Sequence, residues 1–330
     1  GVRLVGSEMC IRDRITIEDF MLKINKYSLI KNAAVLGVAS LSLSLIATSS
    51  SFSDGHIYGE NNPVTVKGYK GSKTDSTAYT GQMARQLQHN SLKKIVSKGK
   101  PSDPTSNTLN KMLNYFENKD KTKSMAILDP KSSSKFPVKQ KMVGEISTGS
   151  NLAGKADGRV QLSWPNNMTG ADVIRFMIKK ASKISGGVDM QNGMNYPQLI
   201  SKYTMGAVLY HQACDNYLDE KMTASNKPND KPYKKGAYYT GKEHSWDEAF
   251  GYWGAAAHTM TLSAQQSYDV AKKKDLKAAD FNKDGVVDLY KEMTYGHAYY
   301  ASAFDRGGKT DYLKTVTKAF IDGRKIITNA

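Results

Sequence analysis

The run from Lys242 to Gly254, KEHSWDEAFGYWG, is dense in groups that can bind a metal or move a proton. A helix advances about 100° per residue, which sorts these side chains into stripes. With Trp246 at zero, Phe250, Trp253, Ala257 and Met260 fall within about 40° of it and form a core stripe. Glu243, Gly254, Asp247, His258, Gly251 and His244 follow at about 60° to 160°, on the flank of that core. Glu248 points away at about 200° and is expected in water. Carboxylate oxygens and imidazole nitrogens on one flank suit borderline metals such as iron or zinc. Glycine between them lets another backbone or a ligand come close. A plainer reading has the acidic residues answer the helix N-terminal dipole while the glycines admit a neighbouring helix.

A second element could complete such a site. His211 and Asp215 lie four apart in LYHQACDNYL and share a helical face. Facing helices that each present such pairs assemble bundle-interior metal centres. His297, in YGHAYY, could add a third histidine.

The segment DFNKDGVVDLYKE points to different chemistry. Asp280, Asn282 and Asp284 alternate ahead of Gly285, Val286 can offer a carbonyl, and Asp288 follows. This is the front half of a calcium loop: hard oxygen donors, a turn glycine, then a carbonyl and a carboxylate. Lys291 stands where the bidentate glutamate is expected, and Glu292 is one residue late. Calcium binding with Glu292 closing the shell is one reading; an Asx-rich turn capping the next helix is the other.

Helical periodicity dominates the elements that must position these residues. Apolar residues recur at helical spacing in residues 81–119, and at least five helical patterns follow in 168–330. Thr169 and Asp172 form a capping-box pattern at the start of one of them. The histidine-rich run is read as one helix over residues 242–272, and NYPQLISKYTMGAVLYHQACDNYLDEKM as another. Between 120 and 167 proline and glycine break the period, giving a long irregular insert. Strand alternation is scarce, so the expected fold class is all-α, a helical bundle architecture.

The beginning of the chain reads differently. Residues 1–20 are expected to be a sequencing-adaptor artefact. Residues 21–50 look like a signal peptide, with Lys23, Lys26 and Lys31 ahead of the apolar run Ala33–Ala47. Residues 51–80, rich in Gly, Ser, Thr, Asn and Lys, form an extended lead-in to residues 81–330. A periplasmic or extracellular location follows, with no stable membrane span in the mature chain, because the apolar run is shorter than the roughly 20 residues a span needs. Cys214 would then be alone, excluding an intrachain disulfide, and is expected as a buried thiol. The net charge of +16 is spread along the chain rather than clustered, which argues against a nucleic-acid partner.

The blocks GQMARQLQHN, MGAVLYHQACDNYLDE, EHSWDEAFGYWG and DFNKDGVVDLYKE, in this order, resemble the bacterial domain of unknown function 4856, an imelysin-like family. The resemblance runs from about Tyr79 to Ile327. It implies an exported protein of two packed helical subdomains, tied to iron, haem or other metal acquisition, with an outer-membrane uptake receptor or envelope component as partner. His244 stands for the histidine of the Gly-x-His-x-x-Glu pattern and Asp247 for its acid, while Lys242 replaces the glycine. A metallopeptidase of imelysin type and a calcium-stabilised structural or partner-binding envelope protein are the alternatives.

Overall fold

The computed structural model describes residues 62–102, 107–223 and 226–330. The expected adaptor segment and signal peptide, and the first part of the lead-in, lie outside the described residues. Nine α-helices occur among the described residues: α1 (Thr80–Val96), α2 (Asn107–Glu117), α3 (Gly170–Ser182), α4 (Tyr196–Thr204), α5 (Gly241–Trp253), α6 (Ala264–Ala271), α7 (Leu276–Ala279), α8 (Gly296–Asp305) and α9 (Tyr312–Thr328). The sheet content is a two-residue antiparallel pair, β1 (Val188–Asp189) with β2 (Met194–Asn195). The fold is all-α, as the periodicity predicts.

One apolar core runs from Tyr79 to Ile327. Helix α5 crosses its middle, packed on α1, α8 and α9. Trp246 and Phe250 each meet the Phe320 ring of α9 at 5.5 Å, and Phe250 meets Tyr79 at 5.2 Å. The indole nitrogens stay satisfied: Trp246 donates to the Phe320 carbonyl at 2.8 Å and Trp253 to the Thr317 hydroxyl at 3.2 Å. Gly323 is the seat of the Trp246 ring, since a Cβ there would lie 2.1 Å from its Cζ2. The core stripe read from Trp246, Phe250 and Trp253 is therefore present.

Two helical readings need correction. The helix expected over 242–272 ends at Trp253, where Gly254 turns left-handed with φ +82° and donates to the Phe250 carbonyl. A short turn at Thr259–Thr261 and then α6 follow. Likewise α4 stops at Thr204, and Met205–Tyr217 continue as a π-helix. Its wider winding buries Met205, Val208, Leu209, Ala213 and Cys214, while Tyr203, Ala207 and Tyr210 are half-buried. Cys214 is a buried thiol outside any disulfide.

The insert has no long element of its own. It folds through isolated bridges such as Ala126 with Met142, and reaches the rest of the chain where Val138 pairs in parallel with Val287. The capping box at Thr169 and Asp172 forms as read.

Candidate functional site

The first turn of α5 begins with a capping box. The Thr240 backbone N–H donates to Glu243 at 2.8 Å, and the Glu243 N–H returns to the Thr240 hydroxyl at 3.1 Å. Glu243 then meets Arg324 of α9: Nη1 reaches its Oε1 at 2.9 Å, and Nε reaches Asp247 Oδ1 at 2.9 Å. The Arg324 Nη2 donates to Ser76 at 2.6 Å, and Ala78 donates its backbone N–H to Asp247 at 2.9 Å. The side chains of Arg324, Glu243 and Asp247 are 0% exposed. This is a buried clasp joining α5, α9 and the lead-in.

The clasp occupies the two carboxylates of the expected ligand stripe. His258 leaves the stripe as well, because α5 ends before it. Its Nε2 meets the Ala278 carbonyl at 2.8 Å and its ring lies 4.9 Å from Phe281. Gly251 does admit a neighbour, and that neighbour is α1: a Cβ there would sit 2.5 Å from Gln82 Cβ.

His244 remains on the outer flank of α5 with 18% of its side chain exposed. Its ring stacks on Tyr239 at 4.6 Å and lies 4.8 Å from Tyr233, in the loop that leads into α5. The acid facing it is Glu248, 3.7 Å from Nε2, rather than Asp247. Burial holds the His244 pKa below the ordinary imidazole value, against the pull of Glu248. The imidazole is therefore neutral and able to ligate at pH 7. Glu248 is not in open water either: it is half-buried and accepts from Gln82 Nε2 of α1 at 2.5 Å.

The second predicted pair forms, but elsewhere. His211 Nδ1 lies 3.2 Å from Asp215, which Arg159 of the insert also binds at 2.9 Å. His297 is buried against the Met205 carbonyl at 3.3 Å and stays neutral down to about 4, because burial disfavours its charge. Among the described residues no group of three or more His, Cys, Asp or Glu side chains gathers to hold a metal ion. A bare iron or zinc ion in this stripe does not fit, since zinc sites take three or four protein donors. The zinc peptidase alternative lacks a ligand set there for the same reason.

The Asp280 loop closes on itself through its own amides. Asp280 accepts from the Asp284 and Gly285 N–H groups at 3.1 and 2.9 Å, and Asn282 Oδ1 accepts from Asp284 at 3.0 Å. Lys283 at φ +61° and Gly285 at +85° supply the left-handed turn. Glu292, one residue late in sequence, reaches back: its carboxylate accepts from the Phe281, Asn282 and Asp288 N–H groups at 3.1, 3.3 and 2.8 Å. Asp288 accepts from Gln140 at 2.9 Å, and the Val286–Val287 stretch meets the insert at Val138. All the predicted loop residues thus sit in one turn.

Several contributors escaped the sequence reading: Arg324, Glu248 and Gln82. Arg324 carried a signal, because it lies four residues after Phe320 and three before Ile327, inside an apolar stripe. A lone cation there calls for buried acids. Gln82 and Arg85 belong to a stretch of α1 buried from Gln82 to His89, where polar composition hides the burial.

Comparison with known proteins gives one finding. The family model described as "Domain of unknown function (DUF4856)" matches residues 68–291. Neither the curated proteins nor the solved structures yield a match. The matched span holds the lead-in contacts, α1 to α7 and the Asp280 loop, and the chain belongs to the domain of unknown function 4856 family.

Proposed function

We propose that this chain is an exported, non-enzymatic binding protein of imelysin-like character that serves iron, haem or other metal acquisition at the envelope. It would work with an outer-membrane uptake receptor or another envelope component. The observation that carries this reading is His244: a neutral, partly exposed imidazole beside Glu248, framed by the Tyr233 and Tyr239 rings. One histidine with one acid is too few donors for a bare ion, but enough for a metal that brings its own ligands, as haem iron takes only one or two protein ligands. Flat aromatic walls suit such a planar partner. No helix among the described residues is long and apolar enough to cross a membrane. Titration with hemin, followed by its absorption band, tests the reading: saturation at one equivalent is expected, with binding weakened about tenfold or more in His244→Ala.

The Asp280 loop supports a second, structural role. Its order of oxygen-bearing residues and its left-handed turn resemble the front of a calcium loop, and calcium would have to draw Asp280 and Glu292 away from the backbone N–H groups they accept from. Calcium there would lock the insert to the bundle at Val138 and Val287. Calcium should raise the melting temperature of the wild type and leave Asp280→Ala/Asp284→Ala unmoved; an equal rise in both would exclude this loop.

A further inference from the structure

Behind Glu248, α1, α5 and the end of the π-helix enclose an excess of positive charge. Gln82 and Arg85 lie one turn apart on α1, facing Glu248 and Tyr252, one turn apart on α5. The Tyr252 ring stacks on Tyr217 at 6.0 Å and 26°. Lys221 Nζ stands over the Tyr217 ring at 4.1 Å and Lys155 Nζ, from the insert, at 5.9 Å. Three cations therefore surround one carboxylate, and that carboxylate is already engaged by Gln82 and His244.

Arg85 is the telling residue. It is only 8% exposed, and among the described residues its Nε has no hydrogen-bond partner, while the Tyr252 hydroxyl faces the guanidinium. No carboxylate among the described residues lies within ion-pair distance of Arg85, Lys155 or Lys221. A guanidinium cannot shed its proton to escape burial, so an uncompensated one is held at high cost. The lysines respond to the same field: burial first, then neighbouring cations, lower the Lys155 pKa, with Arg85 the leading cation and Lys221 another. Burial also lowers that of Lys221. A π-helix that ends at Tyr217, on this cluster, fits the tendency of such segments to mark functional sites.

We infer that the cationic cluster of Arg85, Lys155 and Lys221, set against Tyr217 and Tyr252, is a binding site for an oxyanion group, a phosphate or a carboxylate. The guanidinium offers a planar fork of donors, the Tyr252 hydroxyl a further one, and the two lysines add point charges. The assignment does not rest on metal binding at His244, since the three cations and the unpartnered Arg85 Nε are present whether or not that ring ligates.

Calorimetric titration of the full chain in chloride buffer, with sodium phosphate in one arm and malonate in the other, tests the site. At least one anion should bind at one equivalent. Phosphate alone would point to free phosphate or a phosphoryl group, malonate alone to the carboxylate end of an organic ligand. Lys155→Met/Lys221→Met should bind about tenfold or more weakly, and Arg85→Gln should abolish binding. The lysine variant decides the matter even if Arg85→Gln fails to fold, because both lysines are half-exposed. No binding of either anion up to millimolar concentration, or unchanged affinity in the lysine variant, overturns the assignment.

Discussion

Glu243, His244 and Asp247 stand within one helical turn of each other and do different work. Two of them meet Arg324 at 2.9 Å in a fully buried clasp, and the third faces outward among tyrosines. The chemistry of each side chain is legible in the sequence; its partner is not, because Arg324 arrives from a helix some eighty residues away. The plainer reading of Glu243, as an answer to the helix start, is the one realised. Removing one member of a buried ion cluster strands the others, at a cost of about 3–5 kcal/mol. Arg324→Met should therefore lower stability by about that amount in a urea melt. A loss under about 1 kcal/mol would mean the clasp is relaxed or hydrated in solution.

At the level of elements, the all-α class, the capping box at Thr169 and the Trp246 stripe follow directly from spacing. Helix ends proved harder to read. Periodicity continues through Ala257 and Met260, yet α5 ends where Gly254 turns left-handed at φ +82°, at a position where a Cβ would sit 2.9 Å from the Tyr295 carbonyl oxygen. A glycine in a periodic pattern reads as a tolerated interior residue until the neighbouring chain is known. The π-helix was invisible for a related reason: a change of winding alters which residues face the core, not which residue types are present. Gly251 marks the close approach of α1 to α5. Gly251→Ala should push these helices apart and cost about 1–3 kcal/mol, the usual penalty for overpacking. A melting temperature equal to wild type would show that the Gln82 side chain yields instead.

Across the whole molecule, the matched family span stops at residue 291, while Arg324, which neutralises its two most deeply paired acids, lies beyond it. Helices α8 and α9 are thus part of the same folded unit. Two buried histidines give that unit a pH response. His89 and His297 stay neutral down to about 4 because burial opposes their charging, whereas in the unfolded chain they protonate near 6.5. Between these values the unfolded state holds more protons, so stability is full above pH 6.5 and falls as pH drops toward 4. The loss is on the order of 3 kcal/mol per histidine at the acid end. Melts across this range should show the decline, and His89→Gln/His297→Gln should flatten it. A wild-type profile that is flat over the same range would contradict their burial.

The binding centre proposed at His244 bears most directly on what the protein does. Hemin titration of wild type, His244→Ala and Arg324→Met, each checked for folding, separates the outward face of α5 from its clasp. The account predicts a one-to-one complex that His244→Ala weakens about tenfold or more and that folded Arg324→Met retains. Equal affinity in wild type and His244→Ala, or no complex at all, would contradict it.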